Sequence, residues 1–482
     1  MLNRSLNRLP FLNAANEIKI KKMRSLKILL TALACCTILS CDKEFLEKKP
    51  DKALLVPKRV EDLRALMDNI EVMNTAPALG EIASDDYYVT DAGWQGLPVI
   101  EKNSYLWADD VYQGSSFVLD WSRPYQQIFY CNVVLEALDK LIEKSSTEHQ
   151  QLRGTALFFR GLAFYNLAQV FAAPYDAARA VNDPGIPLRL TSDVNNRPGR
   201  GTLKETYDRI ITDLVDAEKL LPPQAAFKSR PSGAAANALL ARIYLNMGDY
   251  DKAGAYAGQS LQSESSLLDY NSLNAALSRP FPLALSDANE EVLFYSTLIN
   301  FNFITSATVP IADSALYHSY DDNDLRKTLL FRDRGKGVIN FKGSYTGHGI
   351  SGSNSGIFSG LANDEIYLIR AEAFARKGNI PDGLDDLNTL LEKRWRQGTF
   401  VPVTAGSPEE LLQRILTERR KELVGRGIRW SDLRRRNKEA AFTTVLRRVI
   451  NGEERLLVPG DKRYTFPLPH NELTDAIQQN PR

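Results

Sequence analysis

The sequence predicts a mainly α-helical protein, with tetratricopeptide-like helical hairpins inside an irregular helical fold that has a few short strands and long loops. Apolar residues recur at helical spacing in several long segments, and two of the later segments repeat one helix–turn–helix pattern. Loops rich in glycine, serine and proline separate these segments. With 482 residues, of which 44% are hydrophobic and 25% charged, the chain is long enough to bury a sizeable core.

The repeated pattern spans Ala241–Ala253 and Ala371–Gly383. In each copy an alanine is followed by an aromatic residue three positions on, and by Gly248 or Gly378 seven positions on. The small alanine lets a second helix approach closely, and the glycine can adopt the left-handed conformation that ends the first helix. Tetratricopeptide repeats are built in this way, but two copies are too few for a regular solenoid.

Apolar spacing also predicts other elements, which we divide into an N-terminal helical region (60–270) and a C-terminal region (271–482). The predicted helical segments are Val60–Ile70, Tyr125–Ile142, Leu152–Phe171 and Leu411–Arg436. The predicted strands are Glu291–Tyr295 and Gly337–Phe341, and residues 343–360 form a Gly/Ser-rich loop.

The first 40 residues have the build of a signal peptide. A basic stretch, Lys19–Lys27, precedes the apolar run Ile28–Leu39, which at about 12 residues is shorter than the roughly 20 residues of a membrane-spanning helix. Residues 1–22 fit no signal pattern, so Met23 is a candidate for the true translation start.

The apolar run ends in Ile38-Leu39-Ser40-Cys41, which is similar to a bacterial lipobox. In such a motif the signal is removed before a cysteine that then carries acyl chains. We therefore predict that Cys41 is the lipid anchor and that residues 41–59 form a short tether. The alternative is an ordinary secretory signal with Cys41 near the cleavage site.

Cleavage before Cys41 leaves Cys41 and Cys131 in the mature chain, and because Cys41 is predicted to carry the acyl chains, Cys131 has no cysteine partner for an internal disulfide. A formal net charge of +1 predicts no field that would attract nucleic acid or an anionic surface. The segment Glu418–Lys438 carries nine basic and three acidic residues. Apolar residues run through this segment, which favours structural ion pairs over a nucleic-acid patch.

Several motifs follow one another along nearly the whole mature chain. They are Cys41 with Phe45-Leu46 and Pro50; Tyr125–Ile128 with Cys131-Asn132 and Leu135; Arg153–Phe171 with Gly185–Leu188; Pro231–Ala253; Tyr367–Ala373 with Gly378-Asn379; Glu418–Leu423 with Gly427, Arg429-Trp430 and Asp432-Leu433; and Phe466–Pro469 with Asn480-Pro481. In this order the motifs resemble the SusD/RagB family of nutrient-uptake lipoproteins, and the block from Glu418 to Leu433 is the most specific.

The resemblance implies a surface lipoprotein in the outer membrane of a Bacteroidota-type bacterium, held there by its acyl anchor. Such proteins cap a SusC-like TonB-dependent outer-membrane barrel and help to deliver an oligomeric nutrient, often an oligosaccharide, into it. The function expected is therefore binding rather than catalysis. A helical-repeat scaffold that binds only protein and a surface glycoside hydrolase are the alternatives, and the sequence does not identify the nutrient as glycan or peptide.

Motifs for catalysis or metal binding are missing from the sequence. The four histidines are scattered, and neither His-Glu-x-x-His nor Gly-x-Ser-x-Gly occurs. Adjacent acids such as Asp85-Asp86 and Asp321-Asp322 are typical of solvated loops rather than of a glycosidase pair. We expect no catalytic residue and no cofactor, with a structural calcium ion beside the binding loop as an open alternative.

The candidate ligand site lies in the aperiodic segment 85–112. Loops on a rigid scaffold often carry binding residues, and aromatic rings stack on the apolar faces of sugars. Tyr87, Tyr88 and Trp94, with the nearby Asp85, are therefore predicted to form a shallow ligand platform, and Tyr295 at the end of a strand is a further candidate. Other aromatic residues lie on helical faces and are assigned to the core: Trp121, Tyr125, Tyr165, Tyr244 and Trp430.

Overall fold

The computed structural model describes residues 59–140, 146–286, 288–348 and 356–482. The predicted signal peptide, Cys41 and almost all of the tether lie outside these residues. Within them, no helix is both long enough and apolar enough to cross a membrane.

Helices dominate the described chain, as the sequence predicted. They are α1 (Val60–Met67), α2 (Ile70–Met73), α3 (Leu79–Ala83), α4 (Asp91–Gln95), α5 (Val99–Tyr105), α6 (Leu119–Lys140), α7 (Thr147–Phe171), α8 (Leu203–Leu220), α9 (Gly233–Met247), α10 (Tyr250–Ser263), α11 (Asn302–Thr305), α12 (Ser314–His318), α13 (Arg326–Leu330), α14 (Asn363–Arg376), α15 (Ile380–Glu392), α16 (Pro408–Glu422) and α17 (Arg429–Arg436). The long helices pack on one another mostly in chain order, from α6 to α10, then α10 on α14, and α14 on α15 and α16.

The two predicted helical hairpins are confirmed as α9–α10 and α14–α15. Gly248 and Gly378 have φ angles of +81° and +77°, the left-handed conformation expected between the helices of each pair. The side chains of Asp249 and Asn379 then accept backbone hydrogen bonds that begin the second helix of each hairpin. Ala241 is fully buried, which agrees with its predicted role in close helix packing.

The strands are short and form only two-stranded sheets within the described residues. They are β1 (Thr75–Ala76), β2 (Tyr87–Tyr88), β3 (Val292–Phe294), β4 (Thr297–Leu298), β5 (Ile311–Ala312), β6 (Phe331–Asp333), β7 (Ile339–Phe341), β8 (Leu361–Ala362), β9 (Leu446–Ile450) and β10 (Glu453–Leu457). The pairs are β1–β4 (parallel) and the antiparallel β2–β5, β3–β8, β6–β7 and β9–β10. Strands β3 and β7 fall inside the two predicted strand segments.

The final helical block, predicted as one segment, consists of two helices. Between α16 and α17, Gly425 and Gly427 have φ angles of +69° and +72°, which other residues rarely adopt, so the helix is interrupted there. Most arginines of this block form ion pairs, such as Arg419 with Asp432 at 2.8 Å and Arg435 with Glu372 at 2.7 Å, while Arg434 donates to backbone carbonyls. The structural interpretation of this basic segment is therefore confirmed.

Candidate functional site

A rigid surface, which we call the loop face, is built from residues 87–117 and 300–312. Strand β2 pairs with β5, so that Tyr87 lies opposite Ala312 and Tyr88 opposite Ile311. The carboxylate of Glu101 on α5 accepts hydrogen bonds from the backbone N–H groups of Asn302 and Phe303, at 3.0 and 2.6 Å. These contacts join two segments whose bonded residues are 201 and 202 positions apart in the sequence.

Strand alternation separates the two adjacent tyrosines. Tyr88 is 38% exposed, whereas Tyr87 is only 4% exposed and its ring makes edge contacts with Phe303 and Phe341, each at 6.3 Å between centroids. Tyr87 therefore belongs to the core and not to the surface of the platform, which corrects its sequence-based assignment. Tyr88 is the member of the pair that a ligand can reach.

Trp94 is half-buried on the short helix α4, which begins after Thr90, whose hydroxyl accepts from the N–H of Gly93 at 3.1 Å. The indole Nε1 donates to the carbonyl oxygen of Lys102 at 3.2 Å, and the Lys102 ammonium lies 5.5 Å from the ring centroid. The orientation of this indole is thus fixed by α5. Its contact with ligand stays a prediction.

Asp85 is held by arginines. Burial acts to raise the pKa of Asp85. The neighbouring Arg429 and Arg420 guanidiniums nevertheless hold this pKa well below its usual range. Arg429 donates to both carboxylate oxygens, at 2.7 and 2.8 Å, and Arg420 reaches Asp86 at 3.2 Å. The structure therefore gives Asp85 a role in joining the loop to the helical block, where the sequence suggested a ligand-binding carboxylate.

Tyr295 is also buried, with 8% of its surface exposed. Its ring lies 6.5 Å from that of Phe358, its N–H donates to the Lys228 carbonyl at 2.7 Å, and its own carbonyl accepts from Asn74 at 2.7 Å. These contacts are those of a core residue at the end of a strand. Tyr295 is not brought onto the loop face by any of them.

The loop face carries a broad depression with a cavity volume of about 580 Å³. It lies between the start of α5, the turn from Tyr112 to Ser115, and Phe301. Val99, at the start of α5, is 46% exposed, and Phe117 just beyond the turn is 63% exposed. Sequence reasoning did not single out Phe117 or Phe301, although both are aromatic residues in loops, the same signal that drew attention to Tyr88.

A carboxylate cluster in the described part of the chain has the spacing of a possible metal site: Glu291, Asp364 and Glu422. Each carboxylate is already paired with an arginine. Arg394 lies 2.5 Å from Glu291 and 2.7 Å from Glu422, and Arg426 lies 2.8 Å from Asp364. The guanidinium groups supply the compensating positive charge, so this cluster gives no support to a calcium site.

The fold and the loop face define a class of protein: a helical scaffold of tetratricopeptide-like hairpins that presents a loop surface held by hydrogen bonds. Comparison with family profiles identifies the family within this class. Residues 44–245 match a SusD-like family described as "Starch-binding associating with outer membrane", and residues 364–481 match the SusD family. Together these profiles span more than half of the chain, which belongs to the SusD/RagB family.

Individual relatives agree with this assignment. The chain is 24% identical to SusD-like protein P2 of Formosa agariphila over 401 residues, which cover 72% of this chain and 77% of that protein. Its fold is similar to a SusD superfamily protein of Bacteroides thetaiotaomicron, with a TM-score of 0.70, 23% identity, and coverage of 88% and 100% of the two chains. A protein described as a laminarin-binding SusD-like protein gives a TM-score of 0.63 at 18% identity, with coverage of 88% and 98%.

Proposed function

We propose that this protein captures an oligomeric glycan on its loop face at the cell surface and passes it to a SusC-like TonB-dependent outer-membrane barrel. The observation that carries the proposal is the open depression lined by the exposed Val99 and the half-buried Phe301, on a loop surface fixed by Glu101. The exposed Phe117 follows the turn that forms one side of the depression. Family membership supports the setting, because SusD-like proteins are described as associating with the outer membrane. The predicted acyl anchor at Cys41 would hold the protein there.

The geometry suits a long ligand better than a small one. A broad depression lets an oligomer lie across the surface, with sugar rings against aromatic side chains such as Tyr88 and Phe117. Because β2–β5 pairing and the Glu101 hydrogen bonds already fix the loops, binding has little ordering cost to overcome. The laminarin-binding relative of the same fold makes β-glucans a sensible first test.

We propose binding without catalysis on this surface. Glycoside hydrolysis needs two carboxyl groups placed on either side of the scissile bond. Asp85 is paired with Arg429, Glu101 accepts from two backbone N–H groups, and Asp91 accepts from the backbone N–H of Asn451 at 2.9 Å. These three carboxylates, two on the loop face and one just before it, are thus used in holding the fold together.

Calorimetry with a panel of soluble glycans, including laminarin, and of peptides tests the ligand. We expect one glycan to bind and Tyr88→Ala to weaken it several-fold. Phe227→Ala is a matched control, since Phe227 is 59% exposed but lies against Arg230 and is not one of the loop-face residues. Absence of any ligand across both panels would favour the protein scaffold.

The partner is tested separately by a pull-down of the mature lipoprotein from native membranes. We expect a TonB-dependent barrel to be recovered with it. Repeated purification without such a barrel would contradict the proposed delivery, even if the glycan binds. Release of shortened oligosaccharides from a labelled glycan would instead support the hydrolase alternative.

A further inference from the structure

A second cavity lies beside the first half of α6, and we call it the α6 cavity. Its volume is about 380 Å³, at the lower end of the range typical of ligand sites. Its lining includes Trp121, Tyr125 and Phe129 of α6, Arg189 of the loop that follows α7, and Glu472 near the C-terminus. None of these residues belongs to the loop face, and the sequence analysis assigned Trp121 and Tyr125 to the core.

The wall of the α6 cavity is fixed by side chains of α6. The hydroxyl of Tyr125 donates to the carbonyl of Pro187 at 2.9 Å, and the amide of Asn132 donates to the carbonyls of Arg189 and Thr191 at 2.9 and 3.0 Å. The carboxylate of Glu136 accepts from the backbone N–H of Ser192 at 2.7 Å. The loop is therefore laid along the helix before any ligand arrives, and the cavity is preformed.

Three residues that line the cavity have buried polar atoms with no hydrogen-bond partner in the described part of the chain: Trp121 Nε1, Ser122 Oγ and Arg189 Nε. Trp121 is only 3% exposed. All three atoms carry hydrogens to donate, and unpaired buried donors are unfavourable. These three atoms have almost no accessible surface, so the charged groups of the cavity that a ligand can reach include the partly exposed side chains of Arg189 and Glu472, which are 30% and 23% exposed.

The charges around the cavity are balanced. Arg189 pairs with Glu472 at 2.8 Å, and its guanidinium lies 4.3 Å from the Tyr125 ring centroid. Asp193 and Arg197 contribute one charge of each sign. Balanced charge favours a neutral ligand over an anion or a cation. The 37% exposed ring of Phe129 offers an apolar surface as well.

We propose that the α6 cavity is a second carbohydrate site, which binds one or two neutral sugar units through hydroxyl oxygens and stacks one ring against Phe129. Sugar hydroxyls both accept and donate, so they match the guanidinium of Arg189 and the carboxylate of Glu472. The proposal rests on the glycan class proposed above, but it concerns a different surface.

The test follows the five tryptophan indole N–H signals of the ¹⁵N-labelled protein by NMR during titration with glucose, galactose, mannose and xylose. Trp121→Phe assigns the signal of Trp121. We expect at least one sugar to move this signal in a saturable way. The signal of Trp107 is an internal control that should stay in place, because its Nε1 is buried and donates to the Ala83 carbonyl at 3.0 Å.

Variants then separate the two sites. Phe129→Ala should weaken the sugar response of Trp121 several-fold, whereas Tyr88→Ala and Phe227→Ala should leave it unchanged. The proposal is overturned if no sugar moves the Trp121 signal, if Phe129→Ala leaves the response intact, or if only a peptide such as trileucine moves it. If a sugar moves the Trp121 signal but no glycan binds to the loop face, the proposed function of the loop face is contradicted and the α6 site is supported.

Discussion

The guanidinium of Arg429 donates two hydrogen bonds, at 2.7 and 2.8 Å, to the carboxylate of Asp85, although the two residues are 344 positions apart in the sequence. The pair ties α17 to the loop that leads into β2 and the loop face. Arg420 of α16 adds a contact to the neighbouring Asp86 at 3.2 Å. The arginine-rich block near the C-terminus thus holds the chain segment that leads into the candidate binding surface.

Breaking this pair should destabilise the protein. Arg429→Ala leaves a largely buried Asp85 without its main partner, and loss of one member of a buried pair costs about 3–5 kcal/mol. Chemical denaturation measures the change. Arg59→Ala, which removes an exposed pair with Asp62, is the control and should leave the midpoint unchanged. If Asp85→Asn kept its stability but lost glycan binding, Asp85 would be a ligand residue after all.

A pH dependence is expected from Asp120. Its buried carboxylate accepts from the N–H groups of Ala78 and Leu79 at 2.6 and 2.9 Å, yet burial raises the pKa of Asp120 to about 7. Since the unfolded pKa is about 3.9, the folded state holds the proton more tightly, and stability falls as pH rises from about 4 to about 7.

Asp120→Asn removes this titration while it keeps a side-chain oxygen for the two N–H groups. The melting temperature of the native protein, measured relative to that of Asp120→Asn, should therefore decline across the same pH range. Asp216→Asn serves as the control, because the side chain of Asp216 is 50% exposed. If the melting temperatures of the native protein and Asp120→Asn changed with pH by the same amount, the raised pKa of Asp120 would be contradicted.

Local patterns predicted the helical scaffold well, because apolar residues at helical spacing and a glycine between two helical segments can be read directly from the sequence. The hairpin of β9 and β10 was not predicted, although its Asn451-Gly452 turn, with φ angles of +52° and +78°, is a typical hairpin signal. The candidate site was harder. Whether Asp85 faces solvent or Arg429 depends on contacts between distant segments, which no local pattern encodes.

The close packing of the first helical hairpin provides a direct test. Ala241 is fully buried on α9, so Ala241→Leu should overpack the helix contact and lower the free energy of unfolding by about 1–3 kcal/mol. Ala241→Gly is a useful comparison, because it would destabilise through helix propensity instead. An unchanged denaturation midpoint for Ala241→Leu would mean that the hairpin tolerates extra volume.

Acylation of Cys41 remains a prediction, since this residue lies outside the described structure. Mass spectrometry of the mature N-terminus should find a lipid-modified cysteine at this position, with more than one acyl chain because stable anchoring needs more than one. Cys41→Ser should release the protein from the membrane fraction. A mature chain that begins elsewhere and carries no lipid would support the ordinary secretory signal.

The adjacent Tyr87 and Tyr88 give the sharpest test of the loop face. Tyr88→Ala removes an exposed ring, so it should weaken glycan binding several-fold and leave the melting temperature nearly unchanged. Tyr87→Ala removes a ring packed against Phe303 and Phe341, and a buried aromatic truncation costs about 3–5 kcal/mol. Tyr87→Phe should be tolerated, because the Tyr87 hydroxyl has no partner within the described residues.

Trp94 lies between these two extremes, and its variants should show a mixed effect. A stacked ring pair contributes on the order of 1 kcal/mol beyond its area burial, so Trp94→Ala should weaken binding several-fold if the indole meets a sugar. Trp94→Phe keeps an aromatic ring but loses the hydrogen bond to the Lys102 carbonyl, which separates stacking from loop support. Affinity and thermal stability are measured together for both variants. If stability falls while affinity holds, Trp94 packs the loop, and the platform consists of Tyr88 and the depression beside Phe301.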